Sequence, residues 1–155
     1  MKRKPKILLV EDDHLQANEL RQSLESDLGA EVQTMSTESE FVNGFESLAA
    51  NPPDFAILDR MLRWASPSRD MPEPPEDSRE PEEAGLRCAL RLRADSRTSK
   101  IHVILYSVLG DDGDTRQFDS IVKEGDFDNL IERMQFLEPT SGRRSSGTSL
   151  GGEPP

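Results

Sequence analysis

One cysteine, Cys88, is all the thiol chemistry this 155-residue chain holds. A single cysteine excludes an internal disulfide and any cysteine-rich zinc site, and it fits a reducing cytosol. Cys88 lies within a helical pattern, where a small buried hydrophobe is the expected role. Positive charge is also scarce. There are 19 basic against 30 acidic residues, a net charge of -11. That balance argues against nucleic acid as a direct partner and suits divalent cations or basic protein surfaces. Long apolar runs are missing. The run Ile7 to Val10 after the basic start Met1-Lys2-Arg3-Lys4-Pro5 is too short for a signal peptide, and nothing approaches a membrane span. A cytoplasmic protein with no membrane partner is the expectation. No internal repeat is present.

What is there is a series of short apolar runs that end in carboxylates. Asn51-Pro52-Pro53 opens one of them, Phe55-Ala56-Ile57-Leu58, which closes on Asp59. The run is too short for a helix and is bounded by breakers, so it reads as a buried strand. Lys6-Ile7-Leu8-Leu9-Val10 is a second such strand and ends in Glu11-Asp12-Asp13. The spacing from His14 to Leu28 predicts an amphipathic helix with Leu15, Leu20, Leu24 and Leu28 inside, Asp12 or Asp13 as its cap and Gly29 as its stop. Glu31 to Met35 alternates as a strand. Thr37 opens a second helix, with Glu40 in capping-box register and Phe41, Val42, Phe45 and Leu48 as its apolar face.

From Trp64 to Glu83 five prolines sit among seven acids, which predicts a mobile or loosely packed loop, with Trp64 pinning one end. A helix resumes at Gly85, with Leu86, Ala89, Leu90 and Leu92 inward and Arg87, Arg91 and Arg93 on a solvated face. Ile101 to Tyr106 is a fourth strand ending at Ser107. A polar turn at Gly110 to Asp114 leads to a brief fifth strand, Ser120 to Val122, just before Lys123. Asp126 caps a last helix bearing Phe127, Leu130, Ile131, Met134 and Leu137. Residues 139–155 form a low-complexity tail for which disorder is expected.

Strands alternating with helices predict an α/β fold with a parallel sheet and both faces covered. Ligands bind such sheets at the C-terminal ends of the strands. Those ends carry Glu11, Asp12, Asp59, Ser107 and Lys123. Converging carboxylates repel one another, and a divalent cation relieves the cost; all-oxygen donors suit Mg2+. A carboxylate beside such a cation can take a phosphoryl group, with a lysine and a hydroxyl stabilising its oxygens.

On these residues the chain resembles a receiver domain of two-component response regulators. Lys6 to Asp13, Pro53 to Asp59, Gly85-Leu86 with its helix, and Ile101 to Ser107 carry the likeness, which extends over residues 1–138. The resemblance implies a flavodoxin-like five-stranded parallel sheet with helices on both faces. It implies Asp59 as phospho-acceptor, served by a histidine kinase or phosphotransfer protein. Glu11, Asp12, Asp59 and the Met61 carbonyl match the Mg2+ ligands, Ser107 the hydroxyl position and Lys123 the lysine position.

The chain departs from the family at several points. Glu124 replaces the proline usual after the lysine, Ser120 replaces the fifth-strand aromatic, and Val108 replaces a small residue. The short step from Ser107 to Lys123 predicts that the helix between the fourth and fifth strands is cut down or missing. Residues 64–84 are an insertion. With no output domain following, the expectation is a stand-alone receiver, not an enzyme, that signals by contact with a downstream protein. The alternative is an interaction module that works without phosphorylation. A phosphatase-like hydrolase is disfavoured because Met61 stands where a second acid would serve.

Overall fold

The computed structural model describes residues 3–66, 73–108 and 117–137. Five strands form one parallel sheet: β1 (Lys6–Val10), β2 (Glu31–Met35), β3 (Phe55–Leu58), β4 (His102–Ser107) and β5 (Asp119–Val122), in the order β2-β1-β3-β4-β5. The sheet is the flavodoxin-like arrangement predicted from the alternation of strands and helices. Among the described residues five helices accompany it: α1 (His14–Leu28), α2 (Glu38–Asn43), α3 (Phe45–Ala50), α4 (Ala84–Ala94) and α5 (Asp128–Phe136). No helix among the described residues is long and apolar enough to cross a membrane.

Strand side chains alternate between two apolar layers, because successive residues of a strand point to opposite faces. Ile7, Leu9, Phe55, Ile57, Ile104 and Tyr106 pack under α1 and α5, with Leu20, Leu24, Leu130 and Met134. Leu8, Val10, Ala56, Leu58, Val103 and Leu105 pack under α2, α3 and α4, with Phe41, Phe45, Leu86, Ala89 and Leu92. β3 is apolar throughout, and β1 and β4 are apolar between their ends, as a sheet covered on both faces requires. Each fully buried large side chain contributes roughly 1.5–3 kcal/mol. Cys88 is buried in the second layer, which holds its thiol well above its ordinary pKa.

Local signals placed several helix ends. Asp13 caps α1 by accepting from the Gln16 N–H, and Gly29 ends it in the left-handed conformation at φ 62°. Thr37 caps α2 by accepting from the Glu40 N–H.

Other expectations fail. The predicted second helix is two helices, broken at Gly44. The Glu40 carboxylate reaches back to Ser36 rather than to Thr37. Leu15 is 70% exposed and Leu90 is 42% exposed, since α1 and α4 turn those positions off the sheet. Arg87 does not lie on a solvated face: it makes paired 2.8 Å hydrogen bonds to the buried carboxylate of Glu38. Phe127, not Asp126, is the N-cap of α5, although the Asp126 carboxylate accepts from the Asp128 N–H. β5 starts one residue earlier than expected, at Asp119.

The described part of the insertion makes a few defined contacts with the body of the domain. Residues 76–78 and 81–83 form short 3-10 turns, the Leu62 N–H donates to the Pro81 carbonyl, and Arg60 pairs with Glu83 at 3.3 Å. Residues 67–72 of the insertion, the polar turn at 110–114 and the tail at 139–155 lie outside the described residues. So does most of the step between β4 and β5, where a shortened helix was expected.

Candidate functional site

The strand order reverses between β1 and β3, so their C-terminal ends open side by side. Val10 pairs with Leu58 in the ladder, and the Asp59 N–H donates to the Val10 carbonyl at 3.0 Å. Glu11 and Asp59 thus leave the sheet as neighbours. On the far side of β3, Ser107 pairs with Val122, and the ladder runs one residue further: the Lys123 N–H donates to the Ser107 carbonyl at 2.9 Å. Backbone register alone therefore carries Glu11, Asp59, Ser107 and Lys123 to one edge.

The side chains complete the arrangement. Lys123 Nζ donates to Glu11 Oε1 at 2.7 Å and to Asp59 Oδ2 at 2.8 Å. All three are nearly buried, with Lys123 and Asp59 each 12% exposed and Glu11 5%. Burial raises the Glu11 pKa most, and repulsion from Asp59 adds to it. Lys123 opposes both, and the result stands at about 7. Burial pulls Lys123 down, but its hydrogen bonds to Asp59 and Glu11 outweigh this and raise it above the ordinary lysine value. The ammonium also lies 5.7 Å over the ring of Tyr106. The Tyr106 hydroxyl donates to the Asp126 carbonyl at 3.3 Å, fastening β4 to the turn before α5.

Met61 follows Asp59 around a tight turn, its N–H donating to Asp59 Oδ1 at 3.2 Å. That turn is pressed against α4 at Gly85. A Cβ there would collide with the Asp59 carbonyl oxygen and lie 2.6 Å from Arg60 Cα, so only glycine permits the approach. The Gly85 N–H donates to the Arg60 carbonyl at 2.8 Å.

Asp12 takes a different direction. Its Oδ2 accepts from the Arg63 N–H at 3.2 Å, with Arg63 Nε at 3.9 Å. Among the described residues, no group of three or more His, Cys, Asp or Glu side chains is gathered to hold a metal ion. Two carboxylate oxygens, from Glu11 and Asp59, do converge on one positive charge, that of Lys123. They are hard oxygen donors, and the raised Glu11 pKa marks an electrostatic cost that a further cation would relieve. The donor chemistry therefore fits Mg2+, with Asp12 held apart from the other two.

Sequence reading found the residues at the strand ends and missed Arg63. A loop arginine four positions after Asp59 carries no sequence signal, and its contact comes from the turn that aims its N–H at Asp12. Met61 and Val108 are exposed at this edge.

Comparison with known proteins places this edge in a wider setting. No protein-family model matches the sequence, and no curated protein matches it. Solved structures do match. The response regulator protein TrrA of Thermotoga maritima, in complex with Mg2+–BeF, is 22% identical, with a TM-score of 0.63 over 85% of this chain and 97% of that one. The receiver domain of a sensor histidine kinase of Pseudomonas aeruginosa, with magnesium coordinated in its active-site cleft, is 17% identical, with a TM-score of 0.60 over 86% and 97%. The signal receiver domain of a modulated diguanylate cyclase of Desulfovibrio desulfuricans is 27% identical, with a TM-score of 0.57 over 86% and 93%.

Proposed function

For a chain with the receiver fold, we propose a role as a phosphoryl-accepting signalling module, with Asp59 as the acceptor. The observation that carries this reading is the contact of Lys123 Nζ with both Asp59 and Glu11 at the switch point of the sheet. A carboxylate oxygen of Asp59 attacks the phosphorus of a phosphohistidine on a histidine kinase or phosphotransfer protein. The P–N bond breaks as the P–O bond forms, and the imidazole leaves with the bonding pair. Lys123, already on Asp59 Oδ2, supplies fixed positive charge to the transferred group. Ser107 supplies a hydroxyl at the end of β4. Glu11, Asp12, Asp59 and the Met61 carbonyl are the residues that would hold Mg2+, which when bound neutralises phosphoryl oxygens. Output then passes by contact with a downstream protein.

The test is intact-protein mass after incubation with a small phosphodonor, with and without Mg2+, beside Asp59→Asn. A Mg2+-dependent gain of one phosphoryl group, lost in the variant, is the expected result. Gain by the variant at the wild-type rate would overturn the assignment of Asp59.

A second reading, an interaction module independent of phosphorylation, is favoured by Lys123 itself. Its ammonium already pairs with both acids and offsets part of their charge without any modification. Absence of phosphoryl gain from both a small donor and a kinase, in folded protein, would select it.

A further inference from the structure

We infer that Arg63 is a positioning residue that withholds Asp12 from the Glu11–Asp59 pair, so that cation binding there is transmitted to the first turn of α2. The inference rests on the cation-binding part of the proposed function and adds a residue and a route to it.

The observations form one continuous strap. At its near end, Asp12 Oδ2 accepts the Arg63 N–H at 3.2 Å, and the guanidinium Nε lies 3.9 Å from the same oxygen. At its far end, the carbonyl of Arg63 accepts the Glu38 N–H at 2.9 Å and the carbonyl of Trp64 accepts the Ser39 N–H at 2.8 Å. Glu38 and Ser39 open α2, where a helix cannot satisfy its own N–H groups, so these bonds are the partners those donors need. The peptide around Arg63 is thus fastened on one side to Asp12 and on the other to α2. Leu62 ties the same strap to the insertion through the Pro81 carbonyl at 3.1 Å.

The α2 end is itself a junction. The Glu38 carboxylate is buried and held by Arg87 of α4 at 2.8 Å, and it accepts from the Ser78 hydroxyl of the insertion at 3.4 Å. A displacement of Glu38 is therefore shared by α2, α4 and the acidic segment around Ser78.

In the orientation held by Arg63, Asp12 is not gathered with Glu11 and Asp59 around one point, so a cation that uses all three requires the Asp12 carboxylate to turn away from Arg63. A cation that recruits Asp12 removes the near anchor of the strap and leaves the far anchor to respond. Conversely, the contact with Arg63 lowers the affinity of the pair for the cation, since it must be given up on binding. An exposed charge contact of this kind corresponds to about a two- to fivefold change in affinity.

The experiment is an Mg2+ titration of the 15N-labelled full chain, with Arg63→Gln and Arg21→Gln titrated beside it. Arg21 lies on the outer side of α1 with its side chain 36% exposed and pairs with Glu25, so its variant matches the change in net charge. The expected result is that the amides of Arg63, Glu38 and Ser39 shift with the same midpoint as those of Glu11 and Asp59. Arg63→Gln keeps the N–H bond to Asp12 but loses the guanidinium contact, and should bind about two- to fivefold more tightly, and Arg21→Gln should bind as the wild type does. Shifts at Glu11 and Asp59 with Glu38 and Ser39 unmoved would overturn this inference and leave the proposed cation site standing. Equal tightening by both variants would show an effect of net charge and end the positioning role. No binding by any of the proteins would overturn the inference and the cation-binding part of the proposed function together.

Discussion

Lys123 Nζ stands 2.8 Å from Asp59 Oδ2, although the two residues are 64 positions apart and no proline follows the lysine. The ladder bond from the Lys123 N–H to the Ser107 carbonyl fixes where the lysine leaves the sheet, and Glu124 pairs across a short bridge with Asp126 just beyond it. Ladder register therefore carries the lysine to Asp59 without that proline.

Replacing that ammonium tests how much it offsets. Lys123→Met leaves Glu11 and Asp59 facing each other in a nearly buried site. Removing one partner of a buried charge cluster costs about 3–5 kcal/mol, and the exposure that remains here argues for the lower figure. The loss should be larger at pH 8 than at pH 5, where Glu11, with a pKa near 7, carries its proton and only Asp59 is left facing the missing ammonium. Urea denaturation at the two pH values checks this, and added Mg2+ should restore part of the loss at pH 8.

Glu11 gives a second pH dependence. Its pKa rises from 4.5 to about 7 on folding, chiefly by burial and then by repulsion from Asp59. The native state therefore holds the proton more tightly than the unfolded state. The contribution is fully present below about pH 4.5 and is lost as pH rises through 7. The shift corresponds to a loss on the order of 3 kcal/mol. Glu11→Gln has no such loss. In metal-free buffer its stability relative to the wild type should rise between pH 5 and pH 8, as measured by denaturant midpoint. A difference that stays flat with pH would refute the shift.

The pair Glu38–Arg87 joins α2 to α4 with both bonds at 2.8 Å, and Glu38 raises the Arg87 pKa further. Arg87→Met leaves a buried, uncompensated carboxylate and should cost about 3 kcal/mol. The double variant Glu38→Met, Arg87→Met should recover most of that, because two apolar groups leave nothing unpaired. A thermal double-mutant cycle reads the coupling.

Gly85→Ala is a backbone test. The added methyl would meet the Asp59 carbonyl and the Arg60 backbone, neither of which can swing aside. Overpacking of this kind costs about 1–3 kcal/mol. The variant should also slow phosphoryl uptake, because the turn that bears Asp59 must shift. Wild-type stability in Gly85→Ala would show that α4 is free to slide.

The sequence alone carried much of what is local. Apolar runs closed by carboxylates marked β1 and β3, alternation of strands and helices marked the parallel sheet, and Asp13, Gly29 and Thr37 marked helix ends. These signals are legible because each depends on neighbours a few residues away, through burial periodicity or a side chain capping its own helix. The set Glu11, Asp59, Ser107 and Lys123 was legible too, since strand ends of a parallel sheet necessarily share one edge.

Tertiary structure decided the partners. Nothing near Asp12 in the chain says that its carboxylate turns to Arg63, 51 residues on, and nothing near Arg87 says that Glu38 will hold it. The exposure of Leu15, the break at Gly44 and the clamping of the insertion by Arg60–Glu83 belong to the same class. Which charge meets which depends on how helices settle on the sheet and how a turn aims a single N–H. Those geometries are fixed by packing between segments far apart in sequence, where no local periodicity can report them.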